Sequence, residues 1–184
     1  MSSMRLFVAV WPDADACAAL RLLHRKDQPG VRFVPEENWH VTLRFLGRAD
    51  PSEVAAALDG VRAAPARVQL GPLVELLSDH SVIVRAEGLD DWAAAVNRTT
   101  RELGDAPPRR RFVGHVTLAR LSQRARRQRA SLPGVVGTPL AASFTADEFT
   151  LVRSHLDPGG ARYEVLDRWS ARSDGGPLSD EQRR

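Results

Sequence analysis

Cysteine is nearly absent from this 184-residue sequence, which holds only Cys17. A lone thiol excludes an internal disulfide and a thiolate zinc centre, and it fits a reducing compartment, so a cytoplasmic protein is expected. Long apolar runs are missing as well: none approaches the roughly 20 residues that a membrane helix needs. The run from Leu6 to Trp11 is too short for a secretory leader and leads straight into Pro12-Asp13. There is one lysine, Lys26, and one tyrosine, so few groups titrate between the carboxylates and arginine. The formal charge of +3 therefore describes the chain better than its pI of 9.9. No acidic residue occurs from Ala106 to Ala146, while Arg109, Arg110, Arg111, Arg120, Arg124 and Arg126 crowd that stretch. A locally positive face follows, suited either to plain solvation or to a polyanion.

What is present is enough for one sizeable core, since 43% of the residues are hydrophobic. Strands are predicted at Arg5 to Trp11, Val31 to Val34, Trp39 to Gly47, Arg67 to Leu77, Ser81 to Ala86 and Phe112 to Leu121. Two more are predicted at Phe144 to Arg153 and Arg162 to Trp169, around the turn Asp157-Pro158-Gly159-Gly160. Helical spacing covers Ala14 to Arg25, Val54 to Val61 after the Asp50-Pro51 start, and Asp90 to Leu103. Gln123 to Ala130 reads as a basic helix or loop. Several strands are joined by turns too short for parallel crossovers, so the expected class is α+β with antiparallel sheets. Residues 1–172 form one expected domain of two related lobes around a central cleft, with helices outside, and 173–184 an expected disordered tail.

A search for internal repeats finds His40-Val41-Thr42-Leu43 and His115-Val116-Thr117-Leu118, identical and 75 positions apart. Each lies in a predicted strand. Residues two apart share a strand face, so each copy presents an imidazole and a hydroxyl together while Val and Leu face the core. If the halves are related by a pseudo-twofold axis, the two His/Thr pairs meet across the cleft. Two imidazoles suit a displacement at phosphorus, one removing a proton from the attacking oxygen and the other delivering one to the leaving oxygen. An ordinary pKa of about 6.5 allows one ring to be neutral and the other charged, and predicts a bell-shaped pH profile around neutrality. Thr42 and Thr117 can hold the non-bridging oxygens. The scheme requires no cofactor and no metal, and His40 with His115 lacks the third ligand that zinc takes.

The paired HxTx motifs resemble those of the two-histidine (2H) phosphoesterase superfamily. The wider context is similar to its bacterial branch, the RNA 2′,3′-cyclic phosphodiesterases also called 2′-5′ RNA ligases. The likeness extends through RLFVAV, EENWHVTLRFLG, FVGHVTLAR and LVRSHLDPGGARYEVL. It implies His40 as proton donor to O3′ and His115 as proton acceptor from water, with Thr42 and Thr117 orienting phosphate. The implied reaction opens RNA 2′,3′-cyclic phosphate ends to 2′-phosphomonoesters, with 2′-5′ ligation as its reversible counterpart. The implied partner is an RNA or oligonucleotide with such an end, with no membrane and no obligate protein partner. Small cyclic nucleotides or 2′-5′ oligonucleotides are the alternative substrates, and a non-catalytic RNA-binding module is the alternative class.

Arg44 shares the predicted face of His40 and Thr42 and is a candidate substrate contact. Arg120 is another, but simple alternation sets it opposite His115 unless a bulge intervenes. His24, His80 and His155 are expected to face solvent. Phe7, Phe45 and Cys17 are expected in the core rather than at a base-stacking surface.

Overall fold

Aspartates set the helix starts. Asp13 accepts a hydrogen bond from the Ala16 N–H at 2.8 Å to begin α1 (Ala14–Arg21). Asp50 does the same for Ser52 and Glu53 ahead of α2 (Pro51–Leu58), with Pro51 in the first turn where no N–H is missed. The third helix, α3, spans Asp90–Thr99. The first helix stops four residues earlier than its periodicity predicts, since Leu22 turns out to solvent at 87% exposure.

The computed structural model describes residues 3–107, 111–123, 133–157 and 160–172. The strands are β1 (Met4–Val10), β2 (Val31–Phe33), β3 (Val41–Ala49), β4 (Ala66–Leu77), β5 (Ser81–Glu87), β6 (His115–Leu121), β7 (Ala142–Ala146), β8 (Glu148–Asp157) and β9 (Gly160–Ser170). The expected basic segment from Gln123 to Ala130 lies almost wholly outside the described residues, as do Arg109, Arg110, the Pro158-Gly159 turn and the tail from Ser173. The fold is α+β, and every strand pairing among the described residues is antiparallel.

The strands form one sheet in the order β7-β4-β5-β6-β3-β1-β8-β9, with β2 added on β6. Each lobe supplies four strands of that path, and the lobes join where Val41 of β3 pairs with Val116 of β6. The predicted strand from Phe144 to Arg153 is therefore two: β7 pairs with β4 in one lobe and β8 with β1 in the other, separated by Asp147 alone. One residue linking strands from distant parts of the order forces the sheet to curl into a half-barrel. Helix α1 packs on β7 and α3 on β3, so each helix crosses to the other lobe and both lobes share one core.

A bulge recurs in the two central strands. Against β1, β3 pairs Arg44 with Val8 but Thr42 with Ala9, which leaves Leu43 extra. Against β5, β6 pairs Ala119 with Val82 but Thr117 with Ile83, which leaves Leu118 extra. An extra residue reverses the facing of everything beyond it. Phe45 and Arg120 consequently join the histidine face, and Arg44 turns to the helix side.

Candidate active site

The Val41–Val116 pair sets the site. Continuing that antiparallel register by one residue in each direction places His40 across from Thr117 and Thr42 across from His115. The two histidines stand on the diagonal, a relation that puts Cα atoms about 7–8 Å apart. That gap accommodates a phosphoryl group between the rings.

Each ring is oriented by the same device. His40 Nδ1–H donates to the Asn38 carbonyl at 2.7 Å, and His115 Nδ1–H donates to the Val113 carbonyl at 2.7 Å, in both cases two residues upstream. A carbonyl can only accept, so Nδ1 carries the proton and Nε2 is left for chemistry. Asn38 is itself held by its side-chain amide, which donates to the Ala161 carbonyl at 2.9 Å. The buried Trp39 indole donates to the Val34 carbonyl at 3.2 Å and anchors the turn before the motif.

His40 sits in an aromatic box. Its ring centroid is 4.9 Å from Phe7, 5.4 Å from Trp11 and 5.1 Å from Tyr163, the last edge-on. Burial among these rings pushes its pKa from 6.5 down to about 4; the Asn38 carbonyl opposes the shift, and the charges of His115 and Arg120 add to it. The neutral Nε2 accepts a hydrogen bond from Thr42 Oγ1 at 3.1 Å.

Two cavities adjoin at Thr42 and Phe45. The larger, about 450 Å³, runs past His40, Phe7, Tyr163 and Arg120. The smaller, about 250 Å³, lies beside His115, Phe112 and Val113. Thr117 is half-buried on β6, across the register from His40. Glu36, the acidic residue near the first motif, is bonded by Arg21 Nε at 2.8 Å. Among the described residues no three His, Cys, Asp or Glu side chains cluster as a metal site.

Arg44 does not share the His40 face. It is 2% exposed, and its guanidinium donates to Thr100 Oγ1 at 2.6 Å, to the Leu103 and Asp105 carbonyls at 3.0 Å and to the Asn97 carbonyl at 3.3 Å. The Leu43 bulge is the cause. Arg44 therefore satisfies carbonyls at and beyond the C-terminal end of α3, where a cation is also favoured by the helix dipole. Arg120, by contrast, reaches the cleft through the Leu118 bulge. Phe45 was expected in the core and is 39% exposed in the cleft. Phe7 is buried yet forms the cavity wall, Cys17 is partly buried against the core, and His155 is paired with Glu164 at 2.8 Å. The sequence reading missed Trp11 and Tyr163 as neighbours of His40; a tyrosine used once, in a strand of alternating burial, was the available signal.

The family described as LigT like Phosphoesterase matches residues 10–73, which include the first HVTL. A curated relative from Thermus thermophilus, named RNA 2′,3′-cyclic phosphodiesterase, is 31% identical, with 94% of this chain and 93% of the relative covered. The chain belongs to the LigT-like phosphoesterase family. Solved structures similar to this LigT-like phosphoesterase include the Thermus thermophilus protein TT0787, at TM-score 0.74 and 28% identity over 94% of this chain and all of that one. Escherichia coli LigT complexed with 3′-AMP also matches, at TM-score 0.74 and 25% identity over 92% of this chain and 98% of that one. The two HxTx motifs of a 2H phosphoesterase are thus the ones that meet at the Val41–Val116 pair.

Proposed function

We propose that this phosphoesterase hydrolyses RNA 2′,3′-cyclic phosphate ends to 2′-phosphomonoesters without a metal. The observation that carries the reading is the meeting of the two HVTL segments at Val41–Val116, with both Nδ1 atoms committed to carbonyls. The printed names of the relatives supply the substrate class: the Thermus protein and one from Methanocaldococcus jannaschii, 22% identical over 90% of this chain, share the name RNA 2′,3′-cyclic phosphodiesterase.

In the proposed step, water attacks phosphorus and gives its proton to His115 Nε2 as the P–O3′ bond breaks on the opposite side. His40 Nε2–H delivers a proton to the departing O3′, leaving a 2′-phosphate and a 3′-hydroxyl. Thr42, Thr117 and Arg120 hold the non-bridging oxygens while charge accumulates there. Because burial keeps His40 neutral in the free protein, the acid is loaded with the substrate: the phosphodiester anion offsets the repulsion from His115 and Arg120. A 5′-hydroxyl in place of water would give a 2′-5′ linkage by the same route.

Phosphorus NMR of a product made from an oligonucleotide ending in a 2′,3′-cyclic phosphate tests the orientation. A single 2′-phosphomonoester is expected. A 3′-phosphate would reverse the assignment of the two histidines, and a mixture would exclude a fixed in-line acid and base. Turnover of small cyclic nucleotides alone would move the substrate to the alternative class.

A further inference from the structure

The larger cavity carries more cationic groups than a single phosphate uses. Arg5, Arg32 and Arg120 all line it, and no Asp or Glu does. Arg32 of β2 and Arg120 of β6 are direct cross-strand partners, a like-charge placement that costs a sheet stability. Neither guanidinium has an ion-pair partner among the described residues. Arg32 lies across the turn between β8 and β9: its Nη1 is 3.5 Å from where a Cβ on Gly160 would stand, at a φ of +131° that L side chains rarely adopt. The absent side chain leaves that space to the guanidinium. Arg5 stacks on the exposed Phe45 ring at 4.5 Å and completes the cationic wall.

The smaller cavity differs. Its arginines are Arg44, turned to the end of α3, and Arg111. Positive charge is therefore concentrated on the His40 side of the scissile position. We propose that Arg32, flanked by Arg5 and Arg120, binds a second phosphate, the one on the 5′ oxygen of the nucleoside whose cyclic phosphate lies between the histidines. This inference rests on the proposed function and deepens it: the preferred substrate is a 5′-phosphorylated or internucleotide-linked end, and a cyclic mononucleoside phosphate is the poorer one.

The test compares adenosine 2′,3′-cyclic phosphate, its 5′-phosphorylated form and a dinucleotide joined by an uncharged methylphosphonate. One charge-assisted contact corresponds to about 10-fold or more in kcat/KM for the 5′-phosphorylated substrate. Arg32→Gln should bring that ratio to within about 2-fold of unity by the same reckoning. A parallel calorimetric comparison of adenosine 2′-monophosphate with adenosine 2′,5′-bisphosphate needs no turnover and should show the same preference and the same loss. Wild-type ratios near one in both assays overturn the second-phosphate site and leave the phosphodiesterase reading intact. A ratio that Arg32→Gln does not change overturns the assignment to Arg32. A gain from the methylphosphonate dinucleotide equal to that from the charged substrate assigns the preference to the base and overturns it as well. Bisphosphate preference with no cyclic-phosphate turnover supports the site and sinks the hydrolytic reading instead.

Discussion

Burial of His40 has a measurable cost. Moving its pKa from 6.5 to about 4 corresponds to about 3 kcal/mol between its charged and neutral forms. The unfolded chain takes up a proton as pH falls through about 6.5, while the folded chain resists until about 4. Between those values the unfolded state binds more protons, so stability must fall as pH falls, and above 6.5 the effect vanishes. His40→Gln removes this contribution and keeps a polar side chain at the position. Chemical denaturation at pH 7 and pH 4 should therefore show wild type losing about 3 kcal/mol more than His40→Gln over that interval. Other acid-sensitive groups cancel in the comparison, including Glu36 and Glu164, whose carboxyls are held below their usual range by Arg21 and His155. NMR titration of the ring gives the second readout, and Tyr163→Ala, which opens the box, should raise the midpoint toward 6.5. The acidic limb of the kcat/KM profile should fall near 4, so the bell is broader than two ordinary imidazoles predict. A His40 that titrates near 6.5 in the free protein, or equal pH dependence in wild type and variant, would refute the argument.

Arg44→Ala strips buried carbonyls of a charged donor, so it should cost about 3–5 kcal/mol and lower the melting temperature by roughly 10 °C, while the folded fraction keeps its activity. Loss of activity at full stability would return Arg44 to the site. Exhaustive chelation should leave turnover intact; a loss that zinc or manganese restores would contradict the metal-free scheme.

Period-two alternation was legible for His40 and Thr42 because they precede the bulge, and it failed at Arg44 and Phe45 because they follow it. No local signal distinguishes Leu43 as an extra residue. Its equivalence with Leu118 through the repeated HVTL is the only trace, and it shows only once pairing partners are known. Arg120 was assigned to the wrong face by the same rule, with the bulge as the stated exception. The Phe144 to Arg153 run carried strand propensity throughout, so the break at Asp147 follows from partner choice across the curled sheet rather than from composition. The aromatic box draws on β1, β9 and the residue after β1, which lie far apart in sequence. The twofold relation of the site, in contrast, was written in two identical tetrapeptides.

The central claim is that the two imidazoles at the lobe junction act as one acid–base pair. Turnover of a cyclic-phosphate-ended oligonucleotide by His40→Ala, His115→Ala and the double variant tests it most directly, with folding followed by circular dichroism. Each single variant should lose ~10² to 10⁴ in kcat/KM, and the double variant little more than the worse single, because either loss disables the same in-line step. A folded single variant with near wild-type turnover, or fully multiplicative losses in the double variant, would contradict it.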